Sequence, residues 1–164
     1  MKTMIWTAAA AAAALSLAAL AHDPHAKGPN VMAVTISAAK VKWGPAPAAF
    51  PPGAQLAVLH GDPSKKQMFA LRLKMPDGYQ IAPHWHSQDE QLTILSGTFL
   101  LGIGDTAGEV QALEAGAYHF LPCRMHHYAA AKGDVVLELH GMGPFDIHYV
   151  NPADDPSRSA AASK

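Results

Sequence analysis

The stretch Gly78–Gly97, "GYQIAPHWHSQDEQLTILSG", places His84 and His86 two residues apart, with Glu90 four residues further on. In an extended strand, residues i and i+2 point to the same face. His84 and His86 can therefore converge on one ion while Trp85, between them, turns the other way. Glu90 joins that face if the chain turns or bulges after His86. Imidazole and carboxylate together suit Zn, Fe, Mn, Ni or Cu rather than a structural calcium ion. Alone, the H-x-H describes a decorated strand as well as a metal site. A further ligand must come from elsewhere, and "GAYHFLPCRMHH" offers His126 and His127 after a glycine, a short strand and a proline turn.

The elements that must position these groups are short. "AQLAVLHG", "QMFALRLKM", "EQLTILSGTFLLGIG", "AYHFLP", "HHYAAAKG", "DVVLELHG" and "FDIHYV" are β-branched, aromatic or alternating, and turn residues such as Pro51-Pro52-Gly53, Pro76-Asp77-Gly78 and Lys132-Gly133-Asp134 punctuate them. Many short strands at close spacing predict an all-β sandwich or barrel. "VMAVTIS" reads as one more strand, and "VQALEAG" as a strand or a single helical turn. "WGPAPAAFPPGA" reads as a proline-rich connector before a strand.

The ends differ from the middle. Lys2, the apolar run Ile5–Leu20 and the small-x-small site Ala19-Leu20-Ala21 form the pattern of a secretory signal peptide over residues 1–21, with a mature start near His22. Residues 22–30 read as a flexible arm, 31–150 as the folded domain and 151–164 as a flexible tail. This predicts a periplasmic or secreted protein with no membrane span in its mature form. Cys123 is the single cysteine, so no internal disulfide can form and the fold relies on packing. With 12 Lys+Arg against 13 Asp+Glu and a net charge of −1, the chain has no electrostatic footprint for nucleic acid.

Taken together, the two histidine segments resemble the paired motifs of the cupin superfamily. Gly78, five residues, His84-Trp85-His86, three residues, Glu90, six residues and Gly97 fit the first motif, G(x)5HxH(x)3–4E(x)6G, at every fixed position. Gly116, Pro122 and His127 fit the second, G(x)5PxG(x)2H(x)3N, with Arg124 where its second glycine stands and Ala131 where its asparagine stands. The chain also looks like a group of small exported bacterial cupins. The resemblance implies an antiparallel jelly-roll barrel, the double-stranded β-helix. It implies one divalent transition metal (Fe, Mn, Ni or Zn) held by His84, His86, Glu90 and His127, with about two coordination positions open on a six-coordinate ion. It further implies a small-molecule substrate or ligand and a homodimer paired through edge strands. The activity would be oxygenase (dioxygenase-like) or isomerase chemistry, or metal-dependent binding or sensing without turnover.

Two residues outside the motifs are candidates for acid–base work. Glu138 and His140 in "VVLELH" share one strand face, and Val135, Leu137 and Leu139 share the other. The alternation does not say which face is interior. If Glu138 and His140 line the pocket, Glu138 is a general base beside the metal. If Glu138 faces solvent, the binding reading gains.

Overall fold

The computed structural model describes residues 33–158. The predicted leader, the whole N-terminal arm and the last six residues lie outside the described residues. Residues 34–164 form one unit, to which the strands belong. In chain order these are β1 (Gly44–Pro45), β2 (Gln55–His60), β3 (Met68–Met75), β4 (Gln80–Trp85), β5 (Glu90–Ile103), β6 (Gln111–Glu114), β7 (Tyr118–Leu121), β8 (His127–Met142) and β9 (His148–Tyr149). Every pairing is antiparallel. One path runs β1-β2-β3-β8-β4-β9, and β5 pairs with β6, β7 and β8. The fold is the all-β cupin jelly roll.

Two long strands build the site's walls. β8 pairs with β4 through its first turn of sequence, with β3 through its last half, and with β5 along almost all its length. "HHYAAAKG" and "DVVLELHG" are thus one strand rather than two, continuing through Gly133 at φ +72°. β5 bends in register with it, shifting between Ile94, Ser96 and Thr98. Gly97 at this bend has φ +75°, and a Cβ there would lie 2.4 Å from the Asp134 carbonyl oxygen. We expect Gly97→Ala to cost more than about 2 kcal/mol in a denaturant titration, from clash and left-handed strain together. Gly78→Ala meets nothing within 4 Å at φ +73° and should cost only the backbone term of about 1 kcal/mol.

The core is the inner face of these strands. Phe69, Leu71, Leu73 and Met75 of β3 lie in register with Gly141, Leu139, Leu137 and Val135 of β8, and Leu92 and Ile94 of β5 oppose Leu139 and Leu137. Period-two alternation places all of them inward. "VMAVTIS" is not a strand where it is described: residues 33–37 are exposed and pair with no strand, with Val34 61% exposed. An alternating apolar pattern forms a strand only where a partner edge and a core receive it. "VQALEAG" supplies strand β6, paired with β5. Asn151 accepts from the Ala153 amide and starts a 3-10 turn over Pro152–Asp154 in the segment read as tail.

Candidate metal centre

β4 is where the inner face changes parity. Ile81 and His84 are both buried although three residues apart, because the register with β8 shifts between them. A bulge of this kind re-aims the side chains that follow it. From the bulge onward His84 and His86 point inward and Trp85 outward. Glu90 opens β5 on the same face as Leu92 and Ile94, and His127 opens β8 opposite His84. All four are buried: His84 3%, His86 5%, Glu90 6% and His127 3% exposed.

The three rings form one cluster, with centroids 4.1 Å apart for His84–His127, 5.1 Å for His84–His86 and 5.2 Å for His86–His127. Each ring is oriented by a backbone carbonyl. His84 Nδ1–H donates to Ala82 O at 2.7 Å, His127 Nδ1–H to Met125 O at 2.9 Å and His86 Nδ1–H to Asp146 O at 2.5 Å. A carbonyl only accepts, so the proton of each neutral ring sits on Nδ1 and each Nε2 presents a lone pair. The ligand atoms of the three lie within 4.8 Å of one another. Glu90 Oε2 is 3.5 Å from Nε2 of both His86 and His127. Among the described residues, His86 Nε2 is the one buried side-chain polar atom with no hydrogen-bond partner. Burying such an atom unpartnered costs free energy, and a cation would satisfy it. Three imidazole nitrogens and one carboxylate fit a divalent transition metal. Their carbonyl partners supply the outer hydrogen bonds that fix ligand tautomers.

The electrostatics follow from burial. Loss of water holds His84 well below the usual imidazole value, with the neighbouring His127 and His86 adding to it, and holds His86 at about 4. Burial also lowers His127, with Glu90 pulling the other way. Burial pushes Glu90 up to about 7, and the His127 ring opposes that rise. Near pH 6 Glu90 therefore holds a proton, and burial favours the neutral form of each histidine. Metal binding through the carboxylate must expel that proton. Calorimetric titration with Zn(II) in buffers of different ionisation enthalpy should register about one proton released at pH 6, and close to none at pH 8.5. Equal release at both pH values would remove Glu90 from the ligand set.

The remaining sequence candidates lie elsewhere. Val135, Leu137 and Leu139 of β8 are core residues at 0–4% exposure, so Glu138 and His140 face the outside of the sheet. There Glu138 accepts from Arg72 Nε of β3 at 2.8 Å and pairs with His140 Nε2 at 3.1 Å. Neither lines the pocket, which corrects the expectation of a general base at Glu138 or His140. His126 points away from the cluster and pairs with Asp105 at 2.6 Å. Asp89 turns outward, and its carboxylate accepts the Cys123 amide at 2.8 Å. Cys123 is exposed. Arg124 takes the left-handed conformation of the glycine it replaces, φ +63°, donates its amide to His86 O at 2.8 Å, and sets its guanidinium 5.9 Å from the Trp85 ring centroid.

Sequence reasoning missed Phe145, Asp146 and Phe50. Phe145 stacks on His86 at 4.5 Å. The Asp146 carboxylate holds the Ser87 amide at 2.8 Å and the Ser87 hydroxyl at 2.6 Å, so one residue fixes both His86 and its neighbour. Phe50, with Leu73, Phe99 and Leu139, is among the apolar residues enclosing the cluster in a cavity of about 30 Å³. One water needs roughly 10–15 Å³ on the same scale.

A family model described as "Domain of unknown function (DUF4437)" matches residues 10–148. The chain belongs to that family. Among curated proteins there is no match. Solved structures with the same fold include the polyketide cyclase RemF from Streptomyces resistomycificus, 15% identical over 79% of this chain and 94% of that one, TM-score 0.66. A candidate acetylacetone dioxygenase from Methylibium petroleiphilum is 20% identical over 84% of this chain and 99% of that one, TM-score 0.61. An RmlC-like cupin from Shewanella frigidimarina is 14% identical over 66% and 90%, TM-score 0.53. At these identities the likeness establishes the cupin fold of this DUF4437 member.

Proposed function

We propose that the protein binds one divalent transition metal through His84, His86, Glu90 and His127 and uses it to act on a small organic molecule that chelates through two oxygens. The observation that carries this reading is the convergence of three buried Nε2 lone pairs and one carboxylate in an otherwise apolar cavity. When bound, such an ion supplies Lewis acidity to an oxygen ligand. The chain's own contribution is positioning and an apolar enclosure. Carbonyls of Ala82, Met125 and Asp146 lock the rings, and aliphatic and aromatic walls leave room for little more than the ion and its ligands. Glu90 gives up its proton as its carboxylate takes the ion. A structural neighbour named for acetylacetone, a 1,3-diketone, supports the choice of a bidentate oxygen ligand. Loading the protein in turn with Fe(II), Mn(II), Ni(II) and Zn(II) and adding acetylacetone as probe tests this. A saturable change in the Fe(II) or Ni(II) spectrum is expected, and no perturbation with any metal would overturn it.

A second reading, binding or sensing without turnover, is favoured by one observation: with Glu138 and His140 on the outer face, Glu90 is the one acid among the described residues that lines the cavity. Oxygen uptake by the Fe(II) protein with the probe separates the two readings. The leader pattern of residues 1–21 supports export to the periplasm or medium, and N-terminal sequencing of the mature protein beginning at Met1 would overturn that.

A further inference from the structure

The proline-rich connector between β1 and β2 is closed at its base by the Ala46 amide donating to Ala54 O at 3.1 Å, and it turns at Pro47, whose carbonyl accepts the Phe50 amide at 2.8 Å. The residues either side of Phe50 are pinned. Tyr149 Oη–H donates to Ala49 O at 2.8 Å and Tyr79 Oη–H to Pro51 O at 2.6 Å. With both flanking carbonyls held, the freedom left at this position is rotation of the Phe50 ring. Phe50 lines two spaces at once: the 30 Å³ cavity around the histidines and an outer groove of about 570 Å³. The groove is formed by prolines, alanines, one glycine and Phe50, with no ionisable side chain among the described residues.

We propose that the groove is the access route to the histidine cluster and that Phe50 selects ligands on it by size and polarity. Resting on the metal-chelate reading above, this names the ligand class: compact, uncharged along most of its surface, with its oxygen pair leading. A charged molecule gains nothing from proline and alanine walls and loses its hydration there. A ligand larger than the cavity enters only by rotating the Phe50 ring outward, so a smaller residue admits larger ligands and a bulkier one excludes them.

The test uses the full-length mature chain without metal, so that it does not depend on metal being bound. Diethyl pyrocarbonate, a small neutral reagent, carbethoxylates neutral imidazole, and mass spectrometry reads each histidine separately. Phe50→Leu and Phe50→Ala should raise the modification rate at His84, His86 and His127 at least tenfold in the Ala variant and less in the Leu variant. Phe50→Trp should lower it. His126 and His148, on the outer face, report unchanged reagent and fold. Unchanged rates at the buried histidines in Phe50→Leu, with the two control histidines matching wild type, would overturn the proposal. Metal stoichiometry, measured separately on the same variants, should equal wild type. If wild type itself binds no metal the chelate reading fails while the access result stands on its own.

Discussion

Glu90→Leu is expected to make the metal-free protein more stable at pH 8 by roughly 2–3 kcal/mol while abolishing tight metal binding. The carboxyl is buried and raised from 4.5 to about 7. Each pKa unit corresponds to about 1.4 kcal/mol between the two protonation states, so holding the ionised form in the fold costs roughly 3 kcal/mol once pH exceeds the folded value. Its neighbours are the lone-pair nitrogens of His86 and His127 at 3.5 Å, which donate nothing to a carboxylate. A leucine of similar size removes that cost. The sign is fixed by linkage. Folded Glu90 binds its proton more tightly than unfolded Glu90, so its penalty is absent below pH 4.5, grows as pH rises toward 7 and is complete above it. The three depressed histidines act oppositely, lowering stability as pH falls through 6.5, and they are common to both proteins. Urea titrations of wild type and variant at pH 8 and pH 5 check this. A variant that is less stable at pH 8, or a difference that grows on acidification, would contradict it. Sites that sacrifice stability for a ligand show this trade.

His127→Ala should weaken metal binding on the order of a hundredfold to a thousandfold. A four-ligand zinc site contributes about 10–16 kcal/mol in total, so one ligand of four is worth roughly 3–4 kcal/mol. The ring comes from the first residue of β8, where pairing with His84 of β4 and a carbonyl bond to Met125 O leave it one orientation. Competition against a chelating dye measures the affinity. The adjacent His126→Ala should leave affinity unchanged and alter stability by no more than about 0.5 kcal/mol, because its ring lies outside beside Asp105. Equal losses in the two variants would indicate a general weakening of the β8 start.

These expectations rest on features of unequal legibility. The convergence of His84, His86, Glu90 and His127 was readable from the resemblance to the paired cupin motifs, while strand parity alone reached only the His84 and His86 pair. Arg124 was readable as a departure, and its φ of +63° shows that the turn kept its shape when the glycine was replaced. The orientation of Glu138 and His140 was not readable. "VVLELH" alternates cleanly, but alternation separates two faces without naming the inner one; the pairing of Leu137 with Leu73 and Ile94 does that. "VMAVTIS" failed for a related reason, since nothing local reveals that no strand edge awaits it. Phe145 and Asp146 reach His86 from a loop about 60 residues away in sequence and Phe50 reaches the cavity from a separate loop before β2, and neither their types nor their neighbours signal it. Asp146 is the sharpest case: it orients His86 through a backbone carbonyl, which any residue type would supply.

Elemental analysis of the purified mature protein beside His84→Ala/His86→Ala addresses the metal centre most directly. About one transition-metal ion per chain is predicted in wild type, falling below a tenth of that in the double variant. Metal retained in the double variant, or none in wild type, would contradict the assignment of His84, His86, Glu90 and His127.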